Sequence, residues 1–399
     1  MRVVVVGAGP AGMAAARTAA DAGAEVVLVD AEPAAGGQYL RGAVTFTHPG
    51  VTLETNAEAW TVHGNTLFLK GSRTITFVAL VLATGAHDRV LPFPGWTEPG
   101  VVTAGAAQAL AKQGVAIGKR VIVAGTGPFL LPVADTLMKL GVDVIGVYEA
   151  GSPLSWLREP RALLAGWRKI AELFRYRKVF PRYRIRTAVV AKDKNEVTVA
   201  RLDRHWRPRV TRKITVDAVC VGFGFLPRHD LAAHCDLDNG FVKVNERQAT
   251  STENIYAAGE ITGIGGADLA EAEGIVAGAA AAGREPTEQE LRRVRRGRTF
   301  AAGLARAHAP RDGWRTWLAP DTTICRCERV PLEALTQADG MRALKLSSRV
   351  AMGRCQGRMC GHLVQELTGI PFTTKRIIAT PIPLGELAAL EEPWNDSTA

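Results

Sequence analysis

The stretch "RVVVVGAGPAGMAAARTAADAGAEVVLVD", residues 2–30, decides the fold of this 399-residue chain. A β-branched run at 3–6 leads into a glycine-rich turn, an alanine-rich segment follows, and a second apolar run at 26–29 ends in Asp30. This order of strand, turn, helix, strand and acid predicts a dinucleotide-binding βαβ unit, because each part has its own task in such a site.

The three glycines of the turn have separate tasks. Gly7 permits the sharp change of direction, Gly9 lets the backbone approach a pyrophosphate, and Gly12 lets the helix pack closely against the strand. The start of the helix offers unpaired N–H groups and the positive end of its dipole to the phosphates. Asp30, 18 residues beyond Gly12, is placed to accept hydrogen bonds from ribose hydroxyls.

A second unit of the same kind reads "KRVIVAGTGPFLLPVADTLMKLGVDVIGVYEA" at 119–150. It keeps Gly125, Gly127 and an acid, Glu149. Leu130 replaces the third glycine, and its branched side chain is expected to push helix and strand apart. One interpretation is a working site for NAD or another adenine nucleotide, with Glu149 on the ribose. The other is a retained scaffold that binds a nucleotide statically or binds none.

Three further segments, 80–95, 218–227 and 250–274, carry short apolar strands into glycine-bearing turns. Together they predict an α/β fold with two dinucleotide-binding, Rossmann-like domains. Over 1–285 the sequence resembles flavoproteins of the glutathione-reductase-like class, which implies FAD in the first turn. The residues assigned to FAD, with Glu260 where the class usually has aspartate, are Gly7, Gly9, Pro10, Ala11, Gly12, Asp30, Gly37, Gln38, Ala83, Thr84, Gly85, Gly259 and Glu260.

Four cysteines near the C-terminus form a second group of chemistry-bearing residues. The pattern is C-x-C, 27 intervening residues and C-x4-C, within "TTICRCERV" (322–330) and "LKLSSRVAMGRCQGRMCGHLVQELTG" (344–369). Zinc sites favour C-x2–4-C spacings, so the C-x-C half favours an iron–sulfur cluster over zinc, with unliganded thiols as the remaining alternative. The predicted ligands are Cys325, Cys327, Cys355 and Cys360.

Other residues near this group have different predicted roles. The chain has no C-x-x-C pair of the kind that disulfide reductases carry, and Cys220 and Cys235 are predicted to be buried or incidental thiols. His362 is predicted to be a surface helix residue. Between 325 and 360, seven Lys and Arg residues against three acids would favour the reduced, more negative form of a cluster, with a plain basic surface as the alternative.

The cysteine segment resembles the bacterioferritin-associated-ferredoxin-like (BFD-like) [2Fe–2S] domain. In the form "CRCE…K…R…MG.CQGR.C" it is similar to the FAD-bearing component of heteromeric amino-acid dehydrogenases. That family includes opine oxidases, hydroxyproline and proline dehydrogenases and hydrogen cyanide synthase. With "GAGPAG" and the "GGQ" at 36–38, the resemblance covers nearly the whole chain, although Ala351 stands where the family has glycine.

The resemblance implies four parts. They are an FAD-binding domain (1–105 and 245–285), a second nucleotide-binding domain (106–244), a linker (286–318), and a BFD-like [2Fe–2S] domain with the C-terminal tail (319–399).

The implied function is electron transfer through FAD and a [2Fe–2S] cluster, in a hetero-oligomer with a separate amino-acid-oxidising flavoprotein subunit. No histidine spacing or carboxylate-binding arginine identifies catalytic residues in this chain. One alternative is a self-sufficient NADH-dependent reductase, supported by Gly125, Gly127 and Glu149. A third is a zinc-stabilised scaffold or nucleic-acid-binding module, which rests on the basic stretches alone.

The net charge is +10, concentrated at 158–186 and 292–298. These segments predict a solvated basic face or contact with an acidic partner or a phosphate-rich ligand, and nucleic acid is disfavoured because no recognition motif accompanies them. No apolar run reaches the roughly 18 residues that a membrane span needs. Glycines interrupt the apolar N-terminus, which favours a strand, a turn and a helix over a signal peptide, and the chain is predicted to be cytoplasmic without an integral membrane segment.

Overall fold

A computed structural model describes residues 1–41, 44–335, 337–372 and 376–388 of the chain, and its strands and helices are numbered here in chain order. A parallel sheet forms around the first βαβ unit. Its strands are β1 (Arg2–Val6), β2 (Glu25–Val29), β3 (Val51–Glu54), β7 (Ala79–Leu82) and β20 (Ile255–Ala257). Their spatial order is β20-β7-β1-β2-β3, so the order reverses between β1 and β7. Ligands of open α/β sheets bind at such a reversal.

Two helices pack against each other on this sheet with unusually close backbones. They are α1 (Pro10–Asp21) and α6 (Ala267–Ala281). A Cβ atom at Gly274 would overlap the carbonyl oxygen of Ala11, and one at Gly278 would overlap that of Ala15. The small side chains of both helices therefore set the distance between them, and α6 returns the chain to the first glycine turn.

The second sheet is also parallel. Its strands are β9 (Val101–Thr103), β10 (Arg120–Gly125), β11 (Asp143–Glu149), β12 (Tyr183–Ile185) and β16 (Ala218–Gly222), in the order β12-β11-β10-β16-β9. Helices α2 (Ala104–Lys112) and α3 (Leu130–Lys139) accompany it. Relative to the glycines, α3 begins two residues later than α1. Leu130 is accommodated in this way, with its side chain fully buried against the sheet.

Short antiparallel strands complete the β-structure. They are β4 (Ala59–His63), β5 (Thr66–Leu69) and β6 (Arg73–Thr76); β13 (Thr187–Asp193), β14 (Glu196–Leu202) and β15 (Pro208–Thr215); and the pairs β8 (Ala86–Asp88) with β17 (Phe225–Pro227), β18 (Leu237–Asp238) with β19 (Phe241–Val242), and β21 (Thr323–Cys325) with β22 (Val330–Pro331). The β8–β17 pair joins the segments that leave β7 and β16, and so connects the two parallel sheets.

Six further helices follow the chain around these sheets. They are α4 (Pro160–Ala165), α5 (Trp167–Glu172), α7 (Glu288–Ala307), α8 (Met341–Ser348), α9 (Gly361–Thr368) and α10 (Leu384–Ala388). None of the helices in the ranges that the structure describes is long and apolar enough to cross a membrane.

The segment predicted as a linker, 286–318, contains a well-formed helix. A capping box starts α7, since the Thr287 hydroxyl accepts from the Glu290 N–H and the Glu290 carboxylate accepts from the Thr287 N–H. A 3-10 turn, Asp312–Trp317, follows it, and Trp317 stacks on Trp206 with ring centroids 6.2 Å apart. Helix α7 packs on α6 beside the first sheet and on α4, whereas the 3-10 turn joins the core of the second sheet. The four predicted domain boundaries stay predictions.

The C-terminal cysteine region shares a core with the second sheet. Cys325, Cys360 and Leu363 belong to the same buried apolar cluster as Ile122 and Trp206. The predicted tail, 389–399, lies outside the described residues.

We expect Gly274→Ala to lower the free energy of unfolding by about 1–3 kcal/mol, because the added methyl group forces α6 away from α1. Urea unfolding followed by circular dichroism measures this. Gly385→Ala is the matched control, since this helical glycine has open space around its Cβ position among the described residues, so alanine is expected to be neutral or slightly stabilising. Equal effects of the two substitutions would contradict the packing argument.

Candidate cofactor sites

The first glycine turn has the geometry that its sequence predicts. Gly7 has φ +101°, in the region that favours glycine, and its Cβ position is filled by the carbonyl group of Ala83. A Cβ at Gly12 would overlap the carbonyl oxygen of Gly7. The Cβ position of Gly9, by contrast, faces open space, with no described atom within 4 Å. The turn is therefore tight on its protein side and open at Gly9, where α1 begins with Pro10.

Asp30 is hydrogen-bonded to the turn in this structure. Its carboxylate accepts from the N–H of Ala8 and, at 2.8 Å, from the N–H of Glu32. A carboxylate has about four lone-pair positions, so these two bonds leave acceptor capacity for a ribose. Asp30 thus holds the turn in shape in addition to the ribose contact predicted for it.

The loop that carries Gly37 and Gln38 closes over the turn. The Gly36 N–H donates to the Ala8 carbonyl at 2.8 Å, and the Cβ position of Gly37 lies 3.0 Å from the Cα of Gly9. The Gln38 carbonyl accepts from Lys112 Nζ at 3.1 Å. Glycine at 37 is needed twice, because its φ is +56° and a side chain there would press on the turn.

The remaining predicted residues lie at the ends of β7 and β20. Ala83 is buried beneath Gly7, and the Thr84 hydroxyl donates to the carbonyl of Arg228. Gly85 has φ +73°, and its carbonyl accepts from the Arg228 N–H at 2.9 Å. The structure therefore brings these residues, from distant parts of the sequence, to one edge of the first sheet.

Gly259 and Glu260 lie beside the start of α1. The Cβ position of Gly259 is 2.8 Å from the Cβ of Ala11. Burial raises the pKa of Glu260, and the N–H of Gly266, just before α6, opposes that shift by donating to its carboxylate. Glu260 is thus a partly buried acid at the convergence of two helix starts.

The second turn differs from the first in backbone as well as in its acid, since Gly9 has φ −75°. Gly125 has φ +153° and Gly127 has φ +102°. Glu149 is 1% exposed. Its carboxylate accepts from Thr126 Oγ1, the Gly127 N–H and the Gly151 N–H at 2.7–2.8 Å, and from the Tyr183 hydroxyl at 3.3 Å. Four donors use the whole acceptor capacity of one carboxylate.

The four C-terminal thiols come together, although they are spread over 36 positions of the sequence. Cys325 contacts Cys360, Cys360 contacts Cys355, and Cys355 contacts Cys327 through their side chains. Cys325 and Cys360 are buried, whereas Cys327 is exposed. The contacts are pairwise: within 1–41, 44–335, 337–372 and 376–388, no three His, Cys, Asp or Glu side chains are arranged to hold a single metal ion.

These contacts divide the thiols by their pKa. A hydrogen bond from Cys360 lowers the pKa of Cys325 to about 6 and that of Cys355 to about 5, and backbone N–H groups assist at both sulfurs. The pKa of Cys360 is raised because its thiol proton is shared with these two neighbours. The lowered pKa favours the thiolate at Cys325 and Cys355, the form that binds metals.

The loops around the thiols are held in unusual backbone conformations. Arg329, Arg349, Ala351 and Gln356 all have φ between +53° and +64°. Glycine would be relaxed at 351, so the alanine found there stores backbone strain. A Cβ at Gly353 would overlap the Cβ of Cys327.

Two cations interact electrostatically with this group: Lys345 with Cys360, and Arg376 with Cys355. Arg349 pairs with Glu328 at 2.8 Å, and Arg358 pairs with Asp230 at 2.7 Å. The other arginines form no ion pair with any residue that the structure describes: Arg326, Arg329, Arg342 and Arg354. Their positive charge is left to act on the thiolates or on solvent.

His362, predicted to be a surface helix residue, lies on α9 with 33% of its side chain exposed, 3.2 Å from Glu366. Burial of the rest of the side chain, together with Arg89, lowers its pKa to about 4. Cys220 and Cys235 are buried, as predicted.

The fold and the first turn define a class. The sequence pattern of the pyridine nucleotide-disulphide oxidoreductase family matches residues 1–283. The chain belongs to this family and is an FAD-dependent oxidoreductase with Rossmann-like domains.

Several known proteins are similar to nearly the whole chain. Hydrogen cyanide synthase subunit HcnB of Pseudomonas aeruginosa is 32% identical, covering 90% of this chain and 91% of its own. An opine oxidase subunit of Rhizobium meliloti is 30% identical, covering 97% and 87%. Among solved structures, L-proline dehydrogenase from P. horikoshii has the same fold, with a TM-score of 0.67 at 19% identity over 97% of this chain and 79% of that one.

We expect Gly9→Ala to weaken FAD binding at least about tenfold while the apoprotein melts at an unchanged temperature, because the methyl group enters space beside the turn without touching protein. Flavin content after dialysis and the melting of the apoprotein test this. Gly12→Ala should instead lower the melting temperature itself. Full flavin retention in Gly9→Ala would rule out the first turn as the FAD site.

Proposed function

We propose that this protein is the FAD- and [2Fe–2S]-containing electron-transfer subunit of a heteromeric amino- or imino-acid dehydrogenase of the opine, hydroxyproline or proline type. The observation that carries the proposal is the presence in one chain of an FAD-family turn and four mutually contacting thiols. In the proposed subunit, the first turn holds FAD through the thirteen residues assigned above, and the cluster is held by Cys325, Cys327, Cys355 and Cys360.

The donor set fits a two-iron centre better than a single ion. Each iron of a four-cysteine [2Fe–2S] cluster takes two thiolates, so the ligands form pairs rather than one cage. The contacts run as an extended chain, Cys325–Cys360–Cys355–Cys327, and among the described residues no three of these thiols are arranged around a single metal ion. Backbone N–H groups directed at the sulfurs, with Lys345 near Cys360 and Arg376 near Cys355, supply hydrogen bonds and charge that would favour a reduced cluster.

Hydrogen bonds join the two proposed cofactor sites. Arg358 donates from Nε to Asp230 at 2.7 Å and from Nη1 to the carbonyl of Cys355 at 3.3 Å. Two residues before Asp230, the backbone of Arg228 is bonded to Thr84 and Gly85 at the first turn. FAD exchanges two electrons or one, whereas a [2Fe–2S] cluster accepts one, so the pair links amino-acid oxidation to single-electron transfer. Arg358 fixes the cysteine loop relative to the flavin side.

The alternative function is a self-sufficient NADH-dependent reductase. It is supported by the family to which the chain belongs and by the positive φ angles of Gly125 and Gly127. The Glu149 carboxylate, already saturated by protein donors, argues against a ribose contact there.

A surface groove of about 420 Å³ supports the proposal that this chain binds a partner protein. Its lining combines exposed apolar and basic side chains: Arg161, Leu164, Ala165, Trp167, Arg296 and Thr299. Leu164 is 77% exposed and Trp167 54%. The two basic segments of the sequence meet here, because α4 packs on α7. Aromatic and arginine side chains around an apolar floor are typical of protein interfaces. The proposed occupant is an acidic surface of the amino-acid-oxidising subunit.

We expect protein purified anaerobically to contain about two iron atoms per chain, and Cys355→Ser to lose them together with the visible iron–sulfur absorption. Iron analysis and electron paramagnetic resonance of the reduced protein measure this. Cys235→Ser is the matched control, since that buried thiol lies near Thr252 and apart from the four C-terminal cysteines. A wild-type protein that binds zinc or no metal would overturn the proposal.

For the partner surface, we expect Arg161→Glu with Trp167→Ala to release the substrate-oxidising subunit when the two chains are co-expressed and separated by size. The change removes an anchor and reverses a charge, so association should weaken at least about tenfold. Arg201→Glu is the control, because it makes the same change of charge at an exposed arginine on β14. Association that survives the double substitution would place the interface elsewhere.

A further inference from the structure

The two glycine turns differ in what lies in front of their second glycine. A pyrophosphate approaches the backbone at this position, which is why the motif has no side chain there. At Gly9 no described atom lies within 4 Å of the Cβ position. At Gly127 the nearest atom is the ring carbon Cγ of His308, at 4.0 Å. An imidazole ring from the chain itself thus lies in van der Waals contact with the Cβ position of Gly127.

His308 is bonded on both ring nitrogens. Its Nδ1 lies 3.4 Å from Thr126 Oγ1, within the turn, and 3.9 Å from Glu149 Oε2. The indole N–H of Trp156 donates to Nε2 at 3.2 Å. Because an indole can only donate, Nε2 is the acceptor and the ring proton belongs on Nδ1, facing the turn. The imidazole is therefore neutral, so it fills space beside the turn without offering a positive charge that would attract a phosphate.

Trp156 is held in place by a second aromatic contact. It stacks on Phe300 with ring centroids 5.8 Å apart and planes 22° apart, and meets His308 edge-on at 5.8 Å. Phe300 belongs to α7, and His308 is the C-cap of that helix. Arg306 of α7 pairs with Glu159 at 2.6 Å, which ties the helix to the turn that carries Trp156. The cover is therefore built from two segments locked to each other.

Glu149 closes the ribose position in the same way. Its two oxygens are fully used by Thr126, Tyr183 and the backbone of the turn, and the residue is inaccessible to solvent. A pyrophosphate at this turn would need a displaced His308, and a ribose bond to Glu149 would in addition need a released carboxylate.

We infer that Trp156 and His308 are specificity-determining residues that exclude pyridine nucleotides from the second turn. The oxidoreductase then takes its electrons from a donor other than NADH, and the second sheet serves as a scaffold. This inference does not depend on the cysteine ligands, so loss of the [2Fe–2S] proposal leaves it intact.

Two experiments with the flavin-containing protein test the inference. Equilibrium dialysis measures NADH binding, and anaerobic mixing with NADH shows whether the flavin absorbance is bleached. We expect no binding and no prompt bleaching in the wild type. In Trp156→Ala with His308→Ala the cover is removed, and NADH affinity should rise at least about tenfold, because binding no longer waits for rare opening. His308→Gln is the matched control: it keeps a side chain in front of Gly127 and should stay closed.

Two outcomes would overturn the inference. One is micromolar NADH binding by the wild type. The other is a double variant that keeps its flavin and melting temperature yet binds NADH no better than wild type. Should the double variant fail to fold, His308→Ala alone is read by the same criteria, since it clears the Gly127 face and leaves the Trp156–Phe300 stack in place.

Discussion

Backbone-to-backbone contact around the first glycine turn is the constraint on which the rest of the structure depends. Gly7 lies against the end of β7, Gly12 against Gly7 itself, and Gly274 of α6 against Ala11. None of these contacts tolerates a Cβ atom. They bring three strand ends and two helix starts to one sheet edge, and so assemble the FAD-side residues from both ends of a span of about 250 residues. Overpacking at such points costs about 1–3 kcal/mol each, a large share of a domain's stability.

The two turns of the molecule show how far a sequence motif can be interpreted. Strand, glycines, helix and acid are present in both, and both parallel sheets follow from that pattern. What the motif cannot reveal is the tertiary neighbour of the second glycine. His308 lies 181 residues beyond Gly127, and no local signal in its sequence marks it as a cover. Leu130 is the visible departure, yet its effect is a later helix start, whereas the group that fills the approach comes from another segment.

The cysteine region divides in a similar way. Spacing alone identifies the four thiols, and the structure brings them into contact. The surrounding contacts depend on the fold: Gly353 against Cys327, Phe372 against Gly357 and Gly361, and Arg358 against Asp230. The lowered pKa of His362 depends on the fold in the same way, since Arg89 comes from a distant part of the sequence. Long-range packing, unlike spacing, leaves little trace in a single sequence.

The shared core of the second sheet and the cysteine region has a consequence for how this molecule works as a whole. Cys325 and Cys360 are buried in one apolar cluster with Ile122 and Trp206, so the region is not a flexibly tethered domain that moves between two positions. Any group bound there keeps a constant separation from the second sheet. Removal of the region would expose the apolar core of that sheet to water.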